Sequence, residues 1–122
     1  MTPNEYQKEA HTFAIYPHPI CYEDFGGQMV THELDYTYPV MGLVEEAGEV
    51  SGKFAKAVRD DSEHISDDRK QAIKKELGDV CWFIAELSTL MGFELEDVMK
   101  SNIDKLTSRK NRNVISGSGD DR

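Results

Sequence analysis

The chain has 122 residues, of which 39% are hydrophobic and 30% charged, and a net charge of −9. That balance fits one soluble globular domain with a modest core. It excludes electrostatically driven binding to DNA, RNA or an anionic membrane surface, but not small anionic substrates, because a bound cation inverts the local sign.

No apolar run approaches the roughly 18 residues of a membrane span. Met1-Thr-Pro-Asn-Glu5 lacks the basic and apolar character of a signal sequence. Cys21 and Cys81 are too few and too isolated for a disulfide framework or a zinc site. Reduced thiols and a cytoplasmic setting are therefore expected.

Residues 1–16 read as a first helix, with Thr2 as N-cap, Pro3 in the first helical position and Glu5 three residues after the cap. Tyr6, Ala10, Phe13 and Ala14 recur at helical spacing, and Pro17 and Pro19 stop the helix. Residues 17–38 read as a long loop with no convincing strand alternation. Its His18, Tyr22, Phe25, His32, Tyr36 and Tyr38 either cover the end of a bundle or stack on a nucleobase, with the first favoured.

A second helix is expected over 39–60, where Leu43, Val44, Ala47, Val50, Phe54, Ala57 and Val58 make a broad apolar surface. Gly48 and Gly52 weaken that helix, which suggests close approach of another helix or a ligand. The polar stretch 59–68 is a linker, and Ser66-Asp-Asp-Arg69 marks a helix start. In a third helix over 67–91, Leu77, Val80, Cys81, Ile84, Leu87 and Met91 form the apolar stripe. Trp82 and Phe83 widen it, which implies cover by a second subunit, and Gly92 closes the helix. A fourth helix over 94–110 carries Leu95, Val98, Met99, Ile103 and Leu106 on its apolar side. Asn102, Lys105 and Arg109 form a polar line on one of its faces. By composition the tail from Asn113 to Arg122 is disordered. There is no internal repeat. The fold class is all-α, a four-helix bundle.

Two acidic motifs carry the chemistry. Glu45, Glu46 and Glu49 form an E-E-x-x-E and fall within about a 100° arc of one helix. Glu76 and Asp79 form an E-x-x-D, one turn apart on another. Packed together, these faces bring four or five carboxylates to one place. Such acids need a cation, and a hard divalent ion with oxygen ligands, Mg²⁺ or Mn²⁺, suits them. Ion pairing to Lys53, Lys74 or Lys75 is the alternative, and the pattern alone leaves both open. Lys53, one turn beyond Glu49, reads first as an i, i+4 ion pair and second as a phosphate contact.

The motifs in this order resemble the MazG-like, all-α nucleoside triphosphate pyrophosphohydrolases of phages and bacteria. Tyr6-Gln7 and Ala14-Ile-Tyr-Pro17 are similar to the family's opening. Tyr38-Pro39 with Gly42-Leu-Val-Glu-Glu-Ala-Gly-Glu49 looks like its first metal-binding helix, and Lys75-Glu-Leu-Gly-Asp-Val-Cys-Trp82 like its second. Asn102-Ile-Asp-Lys-Leu-Thr-Ser-Arg109 resembles its N-x-x-K-L-x-x-R segment. Gly117-Ser-Gly-Asp-Asp-Arg122 resembles the G-S-G-D-N-R ending of one branch, with Asp121 where Asn is usual.

The resemblance implies a catalytic domain over 1–112 and a tail over 113–122 that folds over the nucleotide, against the reading from composition. It implies Glu46, Glu49, Glu76 and Asp79 as ligands of two or more Mg²⁺ or Mn²⁺ ions, with Glu45 a ligand or a partner for the attacking water. Asn102, Lys105 and Arg109 would hold phosphates, with Lys53 and Arg122 as further phosphate contacts, and Asp120 and Arg122 would fold over the nucleotide. The implied reaction is hydrolysis of a nucleoside triphosphate to monophosphate and pyrophosphate, by a homodimer or dimer of dimers. dGTP or GTP is the expected substrate, by analogy with phage members that convert dGTP to dGMP; dUTP, dCTP and non-canonical nucleotides are the alternatives. A non-catalytic acidic interaction module is the rival from another class. A His-Asp phosphohydrolase is disfavoured, because His64 is followed by Ile65 and His11, His18 and His32 form no close pair.

Overall fold

The computed structural model describes residues 1–16, 20–32 and 36–120. The elements are α1 (Pro3–His11), β1 (Ile20–Glu23), β2 (Met29–His32), α2 (Thr37–Asp60), α3 (Asp67–Leu90) and α4 (Leu95–Asn111). The class is all-α, as expected, with α2 and α3 as the central pair and α1 packed on α3.

The first helix opens as its sequence requires. Thr2 Oγ1 accepts from Glu5 N (3.1 Å), and Glu5 Oε2 accepts from Thr2 N (2.7 Å), so two orphan donors are satisfied reciprocally. It ends at His11, earlier than the expected 16. Thr12 N and Phe13 N turn to carbonyls three residues back, Glu9 O and Ala10 O, and Trp82 Nε1 donates to Ala10 O at 3.0 Å. The last turn therefore tightens and the helix stops there. The expected stop signals, Pro17 and Pro19, lie outside the described residues, as does His18.

The expected loop contains a hairpin. β1 and β2 pair antiparallel, with Tyr22 opposite Val30 and Glu23 opposite Met29. Asp24 makes the turn: its Oδ1 accepts from Gly26 N (2.8 Å) and Gln28 N (2.9 Å). Gly27 takes φ 76°, which a side chain disfavours. The overlooked signal is local: Asp-x-Gly-Gly between short runs with β-branched and aromatic residues. Of the loop aromatics, Phe25 is fully exposed, and Tyr38 stacks on Tyr16 at 5.0 Å between centroids. Tyr38 thus covers the end of the helix pair, with Phe83 5.8 Å away.

The α2–α3 pair is fixed at both ends. At one end the Phe83 ring lies directly over Gly42. At the other, Arg69 Nη1 donates to Lys53 O (3.1 Å) while Nη2 pairs with Asp61. Ser66 caps α3 as expected, accepting from Arg69 N at 3.2 Å. A Cβ at Gly48 or Gly52 would meet nothing within 4 Å among the described residues, so the close approach of another helix falls at Gly42 instead.

The rotation of α3 differs from expectation. Trp82 and Phe83 face α1 and α2 of the same chain, and Ile73, Phe83 and Ala85 are buried. Leu77, Cys81, Ile84 and Met91, four of the six residues in the expected core stripe, are exposed. The physical reason is size. A Trp and a Phe bury more area than the aliphatic stripe and take the inner position.

The N-terminus of α4 has no side-chain cap of its own at Glu94. Gln7, buried in α1, replaces it: its Oε1 accepts from Leu95 N (2.8 Å) and its Nε2 donates to Phe93 O (2.8 Å) and Thr89 Oγ1 (3.1 Å). Asn4 Oδ1 accepts from Glu96 N at 2.9 Å. Beyond this anchor Val98, Met99, Ile103 and Leu106 are exposed. Among the described residues α4 packs on α1 and α3 but not on α2.

Candidate metal centre

Glu46 projects from α2, and Glu76 and Asp79 from α3. Each offers a carboxylate oxygen within 4.8 Å of the others. The α2–α3 packing creates this convergence. Glu46 lies one turn beyond Gly42, and Asp79 lies one turn before Phe83, so their contact sets the two acids facing. Glu46 and Glu76 are half-buried and Asp79 is exposed, which leaves the cluster covered below and open above.

The electrostatics record the crowding. Burial, then the Asp79, Glu45, Glu76 and Glu49 carboxylates, push the Glu46 carboxyl above its ordinary value. Burial, the Cys81 thiol and the Asp79 carboxylate raise the Tyr6 phenol, which sits on the α1 side of the same acids. Among the described residues, one cation answers them. Lys53 Nζ lies 2.7 Å from Glu76 Oε1 and 3.3 Å from Glu49 Oε2. Its own charge is strengthened, first by the hydrogen bond to Glu76 and then by that to Glu49. The expected Glu49–Lys53 pair is present, and the same ammonium reaches across to α3.

The expected site residues therefore fall into two groups. Glu46, Glu76 and Asp79 converge, Glu49 is held beside them by Lys53, and Glu45 is exposed on the same stretch of α2. Asn102, Lys105 and Arg109 lie apart on α4. Asn102 and Lys105 border an open groove of about 740 Å³ with Phe93, Val98 and Ser101. Arg109 is 5% exposed. Its Nη2 donates to Asp120 O (2.7 Å), Asp120 Oδ1 (3.1 Å) and Gly119 O (3.2 Å), and its Nε is buried with no partner among the described residues. Lys105 Nζ lies 3.4 Å from Asp120 Oδ1. The tail turns back through Asn113 at φ 55° and Gly119 at φ 86°, which brings Gly119 and Asp120 against Arg109. Arg122 lies outside the described residues.

Sequence reasoning missed one buried acid. Glu86 of α3 is fully buried, accepting from His11 Nδ1 at 3.0 Å and from the Tyr16 hydroxyl. The available signal was a lone acid inside Trp82-Phe-Ile-Ala-Glu-Leu87.

The donor set fits a hard divalent cation. It is all oxygen, the three carboxylates come within 4.8 Å of one another, and among the described residues the cation paired with them is the Lys53 ammonium.

Residues 37–114 match the family described as the MazG nucleotide pyrophosphohydrolase domain. Over 96% of each chain, the sequence is 39% identical to the Gene 37 protein of Mycobacterium phage L5. It is 42% identical to the uncharacterized protein YvdC of Bacillus subtilis (strain 168), over 55% of this chain and 68% of that one. No solved structure matches. No helix among the described residues is long and apolar enough to cross a membrane.

Proposed function

The chain belongs to the MazG nucleotide pyrophosphohydrolase family, and from that premise we propose that it hydrolyses a (deoxy)nucleoside triphosphate, with dGTP or GTP preferred, to the monophosphate and pyrophosphate. The observation that carries the reading is the convergence of Glu46, Glu76 and Asp79 on one point between α2 and α3. The preference for a guanine nucleotide rests on the likeness of Gly117–Arg122 to one branch of the family.

Glu46, Glu49, Glu76 and Asp79 would hold Mg²⁺ or Mn²⁺, two or more ions in all. When bound, the ions supply Lewis acidity toward the triphosphate oxygens and the attacking water. The chain itself supplies position and charge, which is most of what phosphoryl transfer requires. Glu45, exposed beside the cluster, orients the water that attacks the α-phosphorus. Asn102 and Lys105 bind the leaving phosphates as neutral and cationic partners. Arg109 serves them through the docked tail, whose backbone carbonyls occupy its guanidinium.

These α4 residues and the carboxylates are brought together by a second copy of the chain. We place that copy, in a homodimer or dimer of dimers, over the exposed Leu77, Cys81, Ile84 and Met91 of α3 and the apolar side of α4. Uncovered apolar surface of this kind supports the reading.

The test is a panel of ribo- and deoxynucleoside triphosphates incubated with Mg²⁺ or with EDTA. Monophosphate and pyrophosphate appearing with Mg²⁺ alone, fastest from dGTP or GTP, is the expected result. A different preferred base would overturn the substrate assignment only. No turnover of any triphosphate by the folded protein would overturn the enzyme reading in favour of an acidic interaction module.

A further inference from the structure

Lys53 does more than a helix-surface lysine paired with a glutamate one turn away. Its side chain is 20% exposed, and its ammonium lies closer to Glu76 of the facing helix (2.7 Å) than to Glu49 of its own (3.3 Å). Its backbone is pinned as well, since Lys53 O accepts from Arg69 Nη1 at 3.1 Å, and Arg69 is itself held by Asp61. Position 53 is thus fixed against α3 while a flexible four-carbon stem carries the charge. Lys74 and Lys75 are exposed, and among the described residues Lys53 is the cation that pairs with the E-E-x-x-E and E-x-x-D acids.

Resting on the metal-site reading above, we propose that Lys53 is a placeholder cation. Its ammonium holds Glu49 and Glu76 in facing positions while the site lacks a divalent ion. It gives up those carboxylates when the ion arrives and turns to the incoming triphosphate.

Three physical points support this. An ammonium touches carboxylate oxygens at hydrogen-bond distance, whereas Mg²⁺ draws them in to roughly 2.0–2.1 Å, so the two compete for the same oxygens. The positive charges repel once both are at the site, and the monovalent one on a long stem is the one free to move. Before metal, α2–α3 packing holds the acids close, and a counter-charge lowers their mutual repulsion. The placeholder lowers metal affinity and in return preserves the site's shape. Lys53 is a positioning residue in the metal-free protein and a phosphate partner afterwards.

The experiment is equilibrium binding of Mn²⁺, without nucleotide, to the wild type, Lys53→Met and Lys53→Arg, read by the free-ion electron paramagnetic resonance signal. Lys53→Met is expected to bind Mn²⁺ about tenfold more tightly, a change of ~1.4 kcal/mol. Without metal it is expected to melt at a lower temperature. Its KM for the Mg²⁺–triphosphate is expected to rise. Lys53→Arg keeps the charge and is expected to bind Mn²⁺ no more tightly than the wild type. Equal or weaker Mn²⁺ binding by a folded Lys53→Met overturns the placeholder while leaving the metal site intact. No Mn²⁺ bound by the wild type overturns the metal-site reading and the placeholder with it. The wild type gives a check independent of whether the variants fold. The Lys53 side-chain nitrogen resonance is expected to move as Mg²⁺ is added, and a resonance unmoved through saturation also overturns the proposal.

Discussion

The ring of Phe83 occupies the space where a side chain at Gly42 would begin: a Cβ placed there comes within 2.1 Å of Phe83 Cζ. No rotamer of a buried ring absorbs that overlap without moving its neighbours. Gly42→Ala is therefore expected to lower unfolding stability by about 1–3 kcal/mol, the scale of overpacking in a filled core. It is also expected to weaken metal binding, because the same contact sets Glu46 against Asp79. Urea unfolding checks the first effect. Adding Phe83→Leu should recover part of the loss, and additive losses would contradict the direct contact.

Among the described residues the buried Glu86 has two hydrogen-bond partners, His11 and Tyr16. Removing the Tyr16 hydroxyl leaves a carboxylate oxygen short of a donor in a dry place. Tyr16→Phe is expected to cost about 1.5–3 kcal/mol, the range for hydrogen bonds to charged groups. Chemical denaturation measures it. A loss near zero would mean that water or another donor replaces the hydroxyl.

Docking of the tail should respond to acid. The hydrogen bond from Arg109, then the Lys105 charge, holds the Asp120 carboxyl below its ordinary 3.8. A depressed carboxyl contributes its stabilisation fully above the unfolded-state value and loses it as pH falls through the folded-state value. Arg109 keeps its bonds to the Asp120 and Gly119 carbonyls, so the tail is expected to be held less firmly as pH falls below 3.8. The Gly119 amide resonance, followed against pH, reports the loosening. In Asp120→Asn the same resonance should show no transition in that window.

The helices were legible in the sequence because their signals are local. Thr2-Pro3-x-x-Glu5, Ser66 and Gly92 mark ends through contacts within a turn or two. The acidic motifs were legible for the same reason, since spacing puts acids on one face of a helix. What was not legible depends on partners distant in sequence. Leu77, Cys81, Ile84 and Met91 have the periodicity of a core stripe, yet Trp82 and Phe83 take the inside because α1 and α2 supply Ala10 and Gly42 to pack against. Gln7 gives no sign from its neighbours that it caps a helix 88 residues away. Arg109 reads as a free cation until the tail is seen folded over it.

The acids at the centre repel one another when no cation is present. Burial and the facing carboxylates raise the Glu46 carboxyl from 4.5, so its ionised form weakens the metal-free fold above that pH. At neutral pH Glu46→Gln is expected to raise the metal-free melting temperature by about 2–5 °C. It should also abolish the rise on adding Mg²⁺ and cut turnover about 100-fold or more, the scale of losing one preorganised electrostatic group. Thermal melts with Mg²⁺ and with EDTA distinguish this from simple damage, because a damaged fold melts lower in both.

Attack at the α-phosphorus is tested most directly by the fate of the solvent oxygen. Turnover of dGTP, or of the best triphosphate found, is run in ¹⁸O-labelled water with Mg²⁺, and the products are weighed by mass spectrometry. The expected result is one ¹⁸O in the nucleoside monophosphate and none in the pyrophosphate. Label in the pyrophosphate would place the attack on the β-phosphorus, and a nucleoside diphosphate with labelled orthophosphate would place it on the γ-phosphorus; either result contradicts the account.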